Sequence, residues 1–207
     1  MRLLRNLCAA KAGTTAAEFA MLLPLLTLLL LGAIDGGRYL WACNRAEKAT
    51  QMGARFAVVT DMVPGGLAGY DFAIPGDLTQ GDPIPQSKFG GATCQSNGGV
   101  VSCTCDTGQT CPPLGTANTT AFTNILARMR LFYPALTADN LVIKYQYSGL
   151  GYAGDPNGSD VAPLVVVQLR NLTFTPNLYR FVGASTLPLP SFSTALTLED
   201  GSGAKSN

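Results

Sequence analysis

Gly13-Thr14-Thr15-Ala16-Ala17-Glu18-Phe19 runs directly into AMLLPLLTLLLLGAI at positions 20–34, and this stretch decides the fold. From Phe19 to Ile34 no residue is charged, yet Glu18 stands at its mouth. A carboxylate drawn to the centre of a bilayer costs about 2.5–3.5 kcal/mol, so an acid at this position needs a purpose. Sixteen apolar positions span roughly 24 Å as a helix, just short of a bilayer core. Taking in Thr14–Ala17 and Gly36–Trp41 makes the segment long enough to cross. Arg2, Arg5 and Lys11 precede it and no acid does. By the positive-inside rule this basic leader stays cytoplasmic and the rest of the chain emerges outside, with Tyr39 and Trp41 in the outer aromatic belt.

Three plainer readings of the same segment compete. A cleaved secretory signal needs small residues before its cut, and Leu31-Gly32-Ala33 puts leucine where a small residue belongs. A lipid anchor at Cys8 lacks a preceding apolar stretch. An uncleaved signal anchor holding a periplasmic binding protein or enzyme fits the hydropathy, but leaves Glu18 without a use.

The helical pattern continues beyond the apolar run. Tyr39, Ala42, Ala46, Ala49, Gly53 and Phe56 recur at alternating steps of three and four, forming one stripe, while Arg38, Arg45, Lys48 and Arg55 lie off it. That stripe reads as the core-facing side of a helix. The whole of 14–59 then forms one helix, on the order of 69 Å long. Pro24 removes a backbone donor inside it and predicts a kink. Asp35 and Arg38 are spaced for an i,i+3 ion pair.

Residues 60–207 read as an extracytoplasmic α+β head. The stretch 60–115 is rich in glycine and proline and predicts a long loop region. A helix is expected over Ala121–Phe132, closed by Pro134. Strands are expected over Leu141–Tyr147, Leu164–Phe174 and Phe192–Glu199. A small antiparallel sheet laid on the long helix is the economical architecture.

Four of the six cysteines, Cys94, Cys103, Cys105 and Cys111, cluster in the loop region. Outside the membrane they suggest two disulfides. Joining Cys103 to Cys105 makes a strained ring, which leaves Cys94–Cys103 with Cys105–Cys111, or the crossed arrangement. A four-thiolate zinc site is the rival, and the spacing fits paired CxxC motifs poorly.

Composition narrows the function. The chain has no histidine, which removes Ser-His-Asp and Cys-His catalysis and imidazole metal ligands. No P-loop, GxGxxG or GxSxG appears. Net charge is +1, and acids outnumber bases after residue 60, so no nucleic-acid surface is expected. Asp155–Asp160 offers oxygens at calcium-like spacing but lacks a downstream bidentate glutamate, and a turn is the expected reading, with no cofactor.

Glu18-Phe19-Ala20, Leu23-Pro24-Leu25, Asp35, Gly37-Arg38 and Gly53-Ala54-Arg55-Phe56-Ala57 together resemble the TadE-like minor pilins, or pseudopilins, of the tight-adherence (Flp) type IV pilus system. The likeness covers about residues 11–60. It departs at Asp35-Gly36, where the family often has glutamate followed by an aromatic. The resemblance implies a pilin-like fold and no enzymatic activity. It implies a leader at 1–13, cut after Gly13 by a membrane prepilin peptidase so that Thr14 becomes the new amino terminus. Glu18, beside Phe19, is then the assembly carboxylate that neutralises an N-terminal amine. Implied partners are other pilin subunits, an inner-membrane assembly platform and the bilayer. The implied location is the bacterial inner membrane, amino terminus cytoplasmic and head periplasmic, with passage into the extracellular pilus as a further stage.

Overall fold

The computed structural model describes residues 14–156, 158–177 and 186–201. Residues 1–13, the leader expected from the resemblance and including Gly13, lie outside the described residues, as do Asn157, 178–185 and 202–207.

Helix α1 runs over Thr14–Ala57 without a break, including through Pro24. Two compact units share it: Met1–Trp41 with Thr173–Leu187, and Ala42–Leu172 with Pro188–Asn207.

In the second unit the helix buries Ala46, Ala49, Thr50, Gly53, Ala54 and Ala57, and Val58 just beyond its end is buried as well. This repeats the expected stripe, shifted at its end from Phe56 to Ala57 and Val58. Gly53 marks the closest approach: a Cβ there would lie 2.7 Å from the Met129 side chain and 3.3 Å from Val167. The short helix α2 (Gly65–Ala68) follows.

Helix α3 (Thr119–Arg130) starts where Asn118 accepts the Ala121 N–H on its side-chain oxygen, at 3.0 Å. It buries Ala121, Phe122, Ile125, Leu126 and Met129, the i, i+4, i+8 rows of one face. Its chain turns away just before Pro134.

Five antiparallel strands form the main sheet: β1 (Gly91–Asn97), β2 (Val100–Cys105), β3 (Leu141–Gln146), β4 (Leu164–Leu169) and β7 (Phe192–Thr197), in the order β2-β1-β3-β4-β7. Two short strands, β5 (Thr173–Phe174) and β6 (Leu187–Pro188), pair separately. Leu141, Ile143, Tyr145, Val165, Val167 and Leu169 are fully buried. At about 25 cal/mol per Å² of apolar surface, such side chains supply most of the drive to fold this unit.

Two expectations are revised. The loop region contains the β1–β2 hairpin, because Gly98 and Gly99 both take positive φ (59° and 86°), the geometry of a tight type I′ connection. The strand expected over 164–174 ends at Leu169, because Asn171 adopts φ 55°, a left-handed conformation that breaks a strand.

Candidate functional site

The first turns of α1 hold the residues singled out for assembly. Thr14 is the first helical residue and Glu18 comes four positions later. At 3.6 residues per turn, i and i+4 lie one above the other on the same face. Glu18 is exposed, and Phe19 beside it is 60% exposed. From there to Ile34 every large apolar side chain is exposed, and α1 is long and apolar enough to cross a membrane. Pro24 leaves the Ala20 carbonyl without its usual i+4 donor. Nearby, the Thr27 hydroxyl donates to the Pro24 carbonyl at 2.8 Å, so the helix retains local hydrogen bonding past the proline.

Within the same unit, Asp35 is only 7% exposed. One carboxylate oxygen accepts from Arg38 Nη1 at 2.8 Å and from the Asn177 backbone N–H at 3.0 Å. Arg38 also lies over the Phe174 ring, 5.3 Å from its centroid, and Tyr39 meets that ring edge-on at 5.6 Å. A cation over an aromatic face contributes about 0.5–1 kcal/mol where exposed. The Asp35–Arg38 spacing was legible in the sequence. Phe174 and Asn177 were not, because nothing local announces a partner so far along the chain.

The head's cysteines form Cys94–Cys103 and Cys105–Cys111. Cys94 and Cys103 face each other in the β1–β2 register with Cα atoms 4.0 Å apart. The crossed arrangement and the zinc reading both fall away, since all four sulfurs are used in disulfides. Among the described residues no group of three or more His, Cys, Asp or Glu side chains is placed to hold a metal.

Asp160 organises the calcium-like loop from within. Its carboxylate accepts the N–H groups of Phe72 (2.7 Å), Gly154 (2.8 Å) and Asp155 (2.9 Å). The acid therefore clamps two loops together, the structural role expected of a turn. It borders a cleft of about 360 Å³ edged by Tyr70, Asp71, Ile74 and Gln80. Elsewhere in the head, the Ser96 hydroxyl donates to Asp139 at 2.7 Å, and this bond holds the Asp139 carboxyl below its usual value. Tyr145 is completely buried and its hydroxyl accepts the Val63 N–H at 3.0 Å. Burial pushes its phenol well above the ordinary range.

The family model described as TadE-like protein matches residues 13–55. No curated protein and no solved structure matches the chain. The matched stretch contains Glu18, Pro24, Asp35, Arg38 and Gly53; the sheet and both disulfides lie beyond it.

Proposed function

We propose that this chain, TadE-like from residue 13 to residue 55, is a non-enzymatic minor pilin or pseudopilin acting in the assembly of a tight-adherence type IV pilus. The observation that carries the reading is the placement of Glu18. It stands one helical turn from Thr14, at the mouth of an exposed apolar helix, inside the matched stretch.

In this reading residues 1–13 are a leader, 14–59 the membrane-spanning and head-bearing helix, and 60–207 the periplasmic head. A membrane prepilin peptidase cuts after Gly13. The new Thr14 amine and the Glu18 carboxylate then share one helix face. Burying the two charges together is far less costly than burying either alone. Loss of the leader removes Arg2, Arg5 and Lys11, the charges that hold the helix at the cytoplasmic face. The freed helix can then leave the bilayer for contacts with other pilin subunits on the assembly platform, initiating, priming or tipping the fibre.

Mass spectrometry of the protein from cells containing the peptidase tests the reading. The expected mature form begins at Thr14. A form that retains Met1–Gly13 in those cells refutes processing and leaves the uncleaved anchor in its place.

A further inference from the structure

Beyond Ile34 the two sides of α1 differ. On one side Asp35, Arg38 and Tyr39 meet Phe174 and the Asn177 amide. Asp35 is buried there, and it and Arg38 are the only charges between Ile34 and Trp41. On the opposite side Leu22, Leu26, Leu29, Ala33, Gly36 and Leu40 recur at steps of four and three, so they line one helix face, and all are exposed. Leu40 and its neighbour Trp41 are each 63% exposed. The uncharged surface therefore does not stop at Ile34. Along this second side it continues for about 10 Å, to Trp41. All of these residues belong to the first compact unit.

An upright helix in a bilayer suits only one of these sides. With Asp35 at the headgroups, Leu40 stands about 7.5 Å and Trp41 about 9 Å further out, in water. A lean reconciles them. Membrane helices lean by about 20° on average, and at that angle opposite faces of a helix 10–12 Å wide differ in depth by about 3–4 Å. Side chains on a helix also slant toward its amino terminus, which here is the membrane end. Length points the same way. Phe19 to Trp41 spans roughly 34 Å, enough for a leaning passage through a core of about 30 Å, where Phe19 to Ile34 falls short.

We infer that α1 leans in the bilayer with its Leu40–Trp41 side underneath, so that both side chains enter the outer leaflet while Phe174 to Asn177 ride on the water side at headgroup level. The inference rests on reading the apolar run as a membrane span. Lipid is the occupant because the face is continuous with Leu22, Leu26 and Leu29, which lie inside that span. The Trp41 ring lies among the acyl chains with its N–H toward the headgroups, as interfacial tryptophans do. Asp35 keeps its partners at the surface, away from the hydrocarbon core where a carboxylate is costly. The two aromatics near the outer boundary thus divide their work. Tyr39 packs on Phe174, and Trp41 anchors the lipid side.

The experiment places the full chain in phosphatidylcholine vesicles whose lipid is brominated near the top or near the end of its acyl chains. Trp41 is the single tryptophan, so the wild type gives the first reading. We expect Trp41 to be quenched by the upper bromines and shielded from aqueous acrylamide. Trp41→Phe then clears the background for one tryptophan at a time: Leu40→Trp, Tyr39→Trp, and Leu28→Trp as the reporter of the span. Leu40→Trp should be quenched by the upper bromines about twofold more strongly than Tyr39→Trp, although Tyr39 is one residue nearer the span. Exchange of the Asn177 amide shows whether its bond to Asp35 survives in each variant; if Tyr39→Trp breaks it, the wild-type reading decides alone. Equal quenching of Leu40→Trp and Tyr39→Trp, or a Trp41 open to acrylamide, overturns the lean, and a quenched Leu28→Trp then leaves the span standing. Quenching of Leu40→Trp that falls as the protein-to-lipid ratio rises marks a second copy of the chain on this face and also overturns it. A Leu28→Trp unquenched by either lipid defeats the span and the lean together.

Discussion

The Asn177 backbone amide donates to the Asp35 carboxylate at 3.0 Å, joining positions 142 residues apart in sequence. A hydrogen bond to a charged group contributes about 1.5–3 kcal/mol. Asp35→Ala removes that acceptor and the partner of Arg38 in one change. The expected outcome is an Asn177 amide that exchanges roughly tenfold faster or more. Asp35→Asn, which keeps an acceptor oxygen, shows a smaller effect. Hydrogen exchange over 173–177 measures both.

Glu18→Gln preserves size and removes charge. If Glu18 neutralises an amine during assembly, the variant inserts in the membrane at the normal level while piliation falls to background. Membrane fractionation and electron microscopy of surface fibres give the two readings. Normal fibres in the variant remove Glu18 from the mechanism.

Gly53 has no room for a branched side chain. Its Cβ position lies 2.7 Å from Met129 and 3.3 Å from Val167. Gly53→Val therefore forces α1 away from α3 and β4, at a cost of about 1–3 kcal/mol. Gly53→Ala is milder, since a flexible methionine can move and alanine favours helix by about 1 kcal/mol. Thermal melts of the full chain in detergent should rank wild type, Ala and Val, with Val lowest.

The Cys94–Cys103 bond closes the β1–β2 hairpin at nine residues' separation. Replacing both with alanine should cost about 2–3 kcal/mol by release of loop entropy in the unfolded chain. A lower urea midpoint for Cys94→Ala/Cys103→Ala, and a still lower one for wild type under reductant, which also opens Cys105–Cys111, is the expected result.

Tyr145 sets an alkaline limit. Folding protects its neutral phenol, whose ionisation burial shifts above the ordinary value of about 10. Below that pH both states keep the proton and the full contribution is present. As pH rises past about 10 the unfolded chain ionises first and stability declines. Tyr145→Phe flattens this decline but leaves the Val63 N–H without its acceptor, costing about 1–3 kcal/mol at neutral pH. Urea midpoints at pH 8 and pH 11 separate the two effects.

The long helix was readable because its signals are strong and local: sixteen uncharged residues, then a three-four stripe. Ala121–Phe132 was placed within two residues at each end, with Pro134 as the legible stop, while the Asn118 cap emerged only in the structure. The β1–β2 hairpin was obscured by composition. Its strands carry threonine, serine, glutamine and cysteine instead of a bold apolar alternation, so Gly98-Gly99 passed for loop glycine when it marked a turn. At the candidate site, Glu18 stood out as an acid at the mouth of an apolar run, and Asp35 by its spacing to Arg38. Their long-range setting, above all Phe174 and Asn177, depends on how distant segments meet, which one-dimensional spacing does not encode.

The end of α1 has a mechanical meaning. The Val58 carbonyl accepts the N–H groups of both Glu199 and Asp200, each at 2.9 Å, so the helix is fastened to the segment that leaves β7. Tension entering along α1 passes through this knot to the last strand and its six-rung ladder with β4, from Leu164↔Thr197 to Leu169↔Phe192. The glycine-rich excursion between α1 and α3 is bypassed and bears little load. A head fastened this way can be hauled by its helix without unspooling.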